Sequence, residues 1–210
     1  MRIHIPLLLL LACVAPLAQA AVCPSNSMGV GAGQVTSNLP TDSHRDGPTF
    51  VTYNVPAGTL SLNMNMCSTS PECGTSANVV VEDDFSLYGL PPGTPVTLTA
   101  HVAGYINAGF GGFSYSNVTA YLKDAFGGQA TSVFGTYDAT LPVAAVAGQT
   151  FRLHFELDGF ALSSSGSGSA TFSFTGIPPG AAVTSCQGYV SDHSVAARAM
   201  TWGRLKTHYR

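Results

Sequence analysis

The densest group of side chains able to bind a metal is a run of three acids, Glu82, Asp83 and Asp84. Calcium prefers several carboxylate oxygens, so this run is a candidate site for Ca²⁺, the one cofactor that the sequence suggests. The run lacks the alternating acid spacing of a dedicated calcium loop, and acidic runs are also typical of solvated strand ends. Both interpretations stay open, and the solvated one is favoured.

Aromatic residues form a second candidate site in the glycine-rich run 104–117, namely Tyr105, Phe110, Phe113 and Tyr115. Exposed aromatic faces bring contact area at a small cost in side-chain entropy, so these four could bind a sugar ring or another protein. Large apolar side chains are more often buried than displayed, however. We therefore favour the alternative in which they close one end of the domain.

Catalytic motifs are missing from the sequence. The serine-rich segment 163–169 has neither the G-x-S-x-G pattern of a nucleophile turn nor the pattern of a phosphate loop. His101 and His154 alternate with apolar neighbours and are predicted to be surface histidines. The sequence therefore predicts no catalytic residues and a protein that is not an enzyme.

The first 20 residues predict export. A single Arg2, an apolar run and the small-residue ending Ala18-Gln19-Ala20 are typical of a secretory signal cleaved after Ala20. Lipidation of Cys13 in the tetrad Leu-Leu-Ala-Cys is the minor alternative. Either route gives a secreted or cell-surface protein, and no later run has the length of a transmembrane helix. Charged residues make up 9% of the chain and the net charge is −3, so we expect no binding to nucleic acid.

Four cysteines follow the signal, Cys23, Cys67, Cys73 and Cys186. An even number in an exported chain indicates two disulfides, for which three pairings exist. The short separation favours a bridge between Cys67 and Cys73. Cys23 and Cys186 would then join the two ends of the domain.

Alternation of apolar and polar residues predicts an all-β fold. The segment 151–158 places Phe151, Leu153, Phe155 and Leu157 on one face, with Arg152, His154, Glu156 and Asp158 on the other. Similar runs lie at 49–55, 60–66, 78–89, 95–102, 117–123, 130–139 and 170–176. With one apolar face each, about 8–10 strands should pack as an antiparallel two-sheet β-sandwich over residues 21–190.

The pattern G-[LI]-P-P-G-x-x-V-T occurs twice, at 89–97 and 176–184. The sequences around the two copies differ, so a repeated domain is not indicated. Prolines cannot donate to a strand ladder, and glycine adopts positive φ. We therefore predict the same turn between strands in both places.

A basic, aromatic tail follows the last cysteine, over residues 191–210. Trp202, Leu205 and Tyr209 fall on one face of a short helix, with Lys206 and Arg210 among the basic residues. So short a helix is marginal alone, so the tail should dock on another surface.

The tail W-G-x-L-K-x-x-Y-R (202–210) and the segment G-I-P-P-G-x-x-V-T-S-C-Q-G (176–188) resemble parts of uncharacterised secreted β-rich proteins of environmental bacteria. The resemblance covers roughly the final third of the chain and implies bacterial export and a β-rich fold, with no catalytic residues. We expect a non-catalytic structural or adhesion-type protein with a docking or sorting tail, whose partner is a protein or glycan at the cell surface. The alternative is a carbohydrate-binding module that uses the aromatics of 104–117.

Overall fold

The computed structural model describes residues 22–65, 74–108, 110–111, 114–131 and 135–191. This part of the chain contains strands and no helix. The strands are β1 (Asn26–Val30), β2 (Gly33–Ser37), β3 (Thr41–Asp46), β4 (Thr49–Asn54), β5 (Thr59–Met64), β6 (Gly74–Tyr88), β7 (Pro95–Ala108), β8 (Phe110–Gly111), β9 (Ser114–Lys123), β10 (Gly128–Thr131), β11 (Gly135–Val146), β12 (Thr150–Leu162), β13 (Gly166–Thr175) and β14 (Ala182–Ser185).

Two antiparallel sheets pack against each other, which confirms the predicted β-sandwich. The larger sheet has the order β10-β9-β12-β6-β1-β2, with β14 also pairing with β6 and β8 with β9. The smaller sheet has the order β11-β7-β13-β5-β4-β3. The centre of the larger sheet is formed by two long strands, β12 and β6, whose apolar alternation continues for more than ten residues.

The predicted number of about 8–10 strands is too low, since the described residues contain 14. The edge strands β2 and β3 are mostly exposed and polar, so they carry no alternation that a sequence pattern could detect. The run 130–139 was predicted as one strand, but it contributes to β10 in the larger sheet and β11 in the smaller. Gly135, with a φ of 90°, begins the second of these strands.

An aromatic cluster packs between the two sheets. Phe85 of β6 is completely buried. Its ring centroid lies 5.1–6.2 Å from those of five other rings, which belong to Phe151, Phe155, Phe172, Phe174 and Tyr189. Most of these contacts are tilted or edge-to-face, the arrangement that aromatic quadrupoles favour. The cluster joins the two sheets, since Phe172 and Phe174 come from β13.

A disulfide between Cys23 and Cys186 joins the two ends of the sandwich, as predicted. Beside it, the Gln187 side chain accepts from Asn26 Nδ2 at 2.6 Å and donates to the Pro24 carbonyl at 2.8 Å. The backbone N–H of Gln187 donates to the buried carboxylate of Asp83 at 3.2 Å. Cys67, Cys73 and the tail residues Trp202, Leu205, Lys206, Tyr209 and Arg210 lie outside the described residues.

The two Pro-Pro segments form the same turn, as predicted. Gly89 and Gly176 have φ of 88° and 76°. The second glycines of the motif, Gly93 and Gly180, have φ of 85° and 81°. Each copy also closes with the same backbone bond, from Thr94 to Pro91 and from Ala181 to Pro178. The turn requires positive φ at these two positions, and glycine adopts it without a steric clash because it has no Cβ atom.

Candidate functional site

A band of charged and polar side chains crosses the outer side of the larger sheet, on β6, β12 and β9. We call this band the charged face. Its side chains alternate with core residues on the same strands, so the pleat turns all of them toward solvent. The members are Asn78, Glu82, Asp84, Tyr121, Lys123, Arg152, His154, Glu156 and Asp158.

Strand register places opposite charges beside one another. Arg152 lies opposite Asp84, and the pair is bidentate, with Nε–Oδ1 at 2.8 Å and Nη2–Oδ2 at 3.0 Å. His154 lies opposite Glu82, with Nδ1–Oε1 at 3.2 Å. Directly opposed pairs of this kind stabilise an antiparallel sheet. The bidentate contact also fixes the position of the Arg152 guanidinium.

Glu156 is the centre of the charged face. It accepts from His154 Nε2 at 2.9 Å, Lys123 Nζ at 3.2 Å and Asn78 Nδ2 at 2.7 Å. These bonds, that from His154 above all, lower the pKa of Glu156 to about 2. The same contact raises the pKa of His154, because only the imidazolium donates to Glu82 and Glu156 together.

These pKa shifts predict a stability maximum in mildly acidic solution. The lowered pKa of Glu156 stabilises the fold above pH 4.5, and this contribution is lost as the pH falls toward 2. The raised pKa of His154 stabilises the fold below pH 6.5 and is lost as the pH rises through the raised value. We expect Glu156→Gln to lower the free energy of unfolding by about 2 kcal/mol at pH 5.5, measured by urea denaturation.

At pH 2 the same substitution should cost less than about 0.5 kcal/mol, because about half of the Glu156 carboxyl is then protonated in the folded protein. Glu82→Gln is the matched control. Its carboxylate makes one contact with His154 and is 42% exposed, so its loss should cost less than 1 kcal/mol. An equal effect of Glu156→Gln at both pH values would contradict the assignment.

A short loop presents a phenylalanine beside the charged face. Asp124 follows β9, and its Oδ1 accepts from the amides of Phe126 at 2.8 Å and Gly127 at 2.7 Å. The Asp124 amide donates to the Gly127 carbonyl at 2.8 Å. This Asx turn holds the backbone while the Phe126 side chain stays 98% exposed. A single exposed apolar side chain is common on protein surfaces, so Phe126 is a candidate contact because of its place beside the charged face and not because of its exposure alone.

Two clefts lie beside this loop. One, of about 250 Å³, is lined by Glu82, Lys123, Asp124, Ala125, Arg152, Leu153 and His154. The other, of about 380 Å³, is lined by Tyr121, Lys123, Asp124, Gly127, Gly128, Gln129 and Ala130. Lys123 and Asp124 border both clefts, and Lys123 Nζ lies 4.6 Å from the Tyr121 ring centroid. The arrangement can offer hydrogen bonds and an aromatic surface to one ligand.

The structure does not bring the three predicted calcium ligands together. Glu82 and Asp84 point outward into ion pairs, whereas Asp83 points inward and is completely buried. The reason is the two-residue period of a strand, which sends neighbouring side chains to opposite faces. Burial raises the pKa of Asp83. No cluster of acids, histidines or cysteines suited to a metal occurs in the described residues.

Of the four predicted aromatic ligands, the structure describes the side chain of Tyr105 alone. Tyr105 is 51% exposed on the outer side of β7, in the smaller sheet. The favoured expectation, that this ring is buried and closes one end of the domain, is therefore wrong for Tyr105. Tyr105 and the charged face are therefore on opposite sides of the sandwich. Phe113 and the side chains of Phe110 and Tyr115 lie outside the described residues.

Both predicted surface histidines point outward, and each is held by polar partners. His101 contacts Asp138 through Nδ1 at 3.2 Å and Thr175 through Nε2 at 2.8 Å. The three side chains belong to neighbouring strands of the smaller sheet, and the Asp138 side chain is 56% exposed. We interpret this contact as a cross-strand polar ladder.

Sequence reasoning found part of the charged face. The alternation of 151–158 places Arg152, His154 and Glu156 on one face, but it does not identify their partners on β6 and β9. Phe126 was missed altogether. The signal that could have found it is the segment Asp124-Ala-Phe-Gly127, in which an Asx turn exposes the third residue.

Fold and covalent structure define an all-β sandwich protein with an end-to-end disulfide, which is compatible with an oxidising compartment. The described residues form no helix long and apolar enough to cross a membrane. No known family model matches the chain, and no curated protein matches it.

Proposed function

We propose that this chain is a non-catalytic, exported recognition protein of the adhesion type, and that it binds a neutral, hydroxyl-rich glycan on the charged face. The observation that carries the proposal is Phe126, 98% exposed and held by an Asx turn in the loop that borders two clefts. A sugar ring offers an apolar side to an aromatic ring and hydroxyls to polar groups. A small number of polar groups beside an aromatic surface is typical of ligand-binding sites.

The charges of this region favour a ligand without negative charge. Five carboxylates, Glu82, Asp84, Asp124, Glu156 and Asp158, face two permanent cations, Lys123 and Arg152. The excess of acids would repel anionic partners. Glycan hydroxyls can donate to the carboxylates and accept from Arg152, whose Nη1 is not engaged in the pair with Asp84.

Retention of the full chain on immobilised cellulose, chitin, xylan and starch tests the proposal. We expect retention on at least one of these neutral polysaccharides, and we expect Phe126→Ala to weaken it about tenfold. Because Phe126 makes little contact with the core, the variant should keep the wild-type unfolding midpoint.

Two other exposed aromatics provide controls. Tyr88→Ala, at a side chain 55% exposed, should leave retention unchanged. Tyr105→Ala tests the second candidate, a glycan site on the opposite sheet, which the 51% exposure of Tyr105 supports. Loss of retention in Tyr105→Ala alone would move the site to that sheet. No retention on any polysaccharide would overturn the glycan proposal.

Export and the docking or sorting role of residues 191–210 belong to the same proposal, and they are supported by the sequence and by the compatible disulfide. Mass spectrometry of the intact protein from its native cells identifies the cleavage site, a lipid on Cys13 and the presence of the tail. A mature chain that retains residues 1–20 without a lipid would contradict export through this signal.

A further inference from the structure

A third cleft, of about 270 Å³, opens on the outer side of the larger sheet, in addition to the two clefts beside the Asx turn. Four strands contribute to its lining, with Gly29 from β1, Gln34 from β2, Ser76 and Asn78 from β6, and Asp158 from β12. Asn78 and Asp158 also belong to the charged face. The cleft therefore continues the charged face toward the β2 edge of the sheet.

A glycine leaves the space that forms this cleft. Gly29 lies opposite Asn78 of β6 on one side and opposite Gln34 of β2 on the other, a position where outward side chains of neighbouring strands normally meet. A Cβ atom at Gly29 would lie 3.7 Å from the Gly33 carbonyl oxygen and 3.8 Å from the Asn78 Cβ atom, both ordinary contact distances. Gly29 also does not have the positive φ that favours glycine. Packing and backbone conformation therefore accept a side chain here, and what the glycine provides is open space.

Polar groups border this space on both sides. The exposed Gln34 side chain lies on edge strand β2, and the exposed Asp158 carboxylate lies across the cleft on β12. Ser76 Oγ donates to the Gly31 carbonyl at 3.3 Å, and the Gly31 amide donates to the Ser76 carbonyl at 2.9 Å, so the turn between β1 and β2 is held against β6. Amide and carboxylate groups can exchange hydrogen bonds with the hydroxyls of a sugar.

Strand register gives the distance between this cleft and the end of the charged face at Lys123, which borders the other two clefts. Lys123 lies opposite His154, and Asp158 lies four residues further along β12. From β9 to β1 there are three strand spacings. With about 3.3 Å per residue along a strand and about 4.8 Å between strands, the two ends are about 20 Å apart. A single sugar ring cannot span this distance, whereas an extended chain of several rings can.

We propose that the cleft over Gly29 is a further glycan subsite, and that the ligand is the interior of a long, extended neutral polysaccharide that crosses the larger sheet diagonally from Phe126 to Gln34. This inference rests on the proposed glycan function. The path ends at the edge strands β10 and β2, so the bound chain can continue past the protein in both directions. Two linked subsites raise the affinity for a long chain, because binding at one raises the effective concentration at the other.

The affinities of the full chain for the soluble dimers and hexamers of cellulose, chitin, xylan and starch test the inference by titration calorimetry. We expect one hexamer to bind about tenfold more tightly than the dimer of the same sugar. Gly29→Leu fills the cleft, so it should remove this tenfold gain and leave the affinity for the dimer unchanged. Ser27→Leu is the matched control, because it adds the same side chain on the same strand and face, opposite Val80 and outside the cleft. It should bind both oligosaccharides as the wild type does.

Gln34→Ala is a second variant, which leaves the cleft open and removes one amide. It should weaken hexamer binding about fivefold at an unchanged unfolding midpoint, because Gln34 is exposed. If Gly29→Leu lowers that midpoint, Gln34→Ala alone decides.

Two results would overturn the inference and leave the proposed function in place, provided that Phe126→Ala still weakens dimer binding. One is equal affinity for dimer and hexamer, and the other is wild-type affinity of Gly29→Leu and Gln34→Ala for the hexamer. Absence of binding to every oligosaccharide and polysaccharide would instead overturn the proposed function, and this inference with it.

Discussion

Replacing Cys23 and Cys186 together with alanine is expected to lower the free energy of unfolding by about 5 kcal/mol. The bridge joins residues 163 positions apart, so it restricts almost the whole unfolded sandwich. Loop-closure entropy grows with the logarithm of loop length, which makes this the most effective cross-link available to the chain. Urea denaturation of the variant and the wild type measures the difference.

Cys67→Ala with Cys73→Ala gives the comparison. A bridge between these two residues would close a much shorter loop, for which the same relation gives about 2 kcal/mol. The ends of the sandwich are also held by Gln187, which bonds Asn26, Pro24 and the Asp83 carboxylate. A loss at Cys23 and Cys186 no larger than that at Cys67 and Cys73 would mean that these contacts, and not closure of the long loop, hold the ends.

Phe85→Ala should destabilise the protein by about 4 kcal/mol. The side chain is completely buried, and its ring lies within 6.2 Å of five others, measured between centroids. Its removal leaves a cavity that both sheets border, and a disulfide-closed sandwich can collapse around it only in part. The unfolding midpoint in urea, with an unchanged slope, measures the loss.

Phe126→Ala is the matched control, because it makes the same chemical change at a ring that is 98% exposed. We expect its free energy of unfolding to change by no more than about 0.5 kcal/mol. The pair thus separates a phenylalanine that stabilises the core from one proposed to bind a ligand. A loss below about 1.5 kcal/mol in Phe85→Ala would show that the surrounding rings repack into the space.

The sequence by itself determined the features that depend on neighbouring residues. Alternation located the central strands, since burial of one sheet face requires a period of two. The pairing of Cys23 with Cys186 was the favoured one of three. The two Pro-Pro turns were readable because proline and glycine restrict the backbone directly.

Only the tertiary structure decided the features that depend on strand register and sheet order. Asp83 stands between two surface acids, yet it is buried, because its strand turns it inward, where the backbone N–H of Gln187, just after β14 of the same sheet, donates to it. Glu156 meets both Lys123 of β9 and Asn78 of β6 only because β12 lies between these two strands. Residues far apart in sequence are brought together by long-range pairing, and no local pattern records which strands pair or in which register.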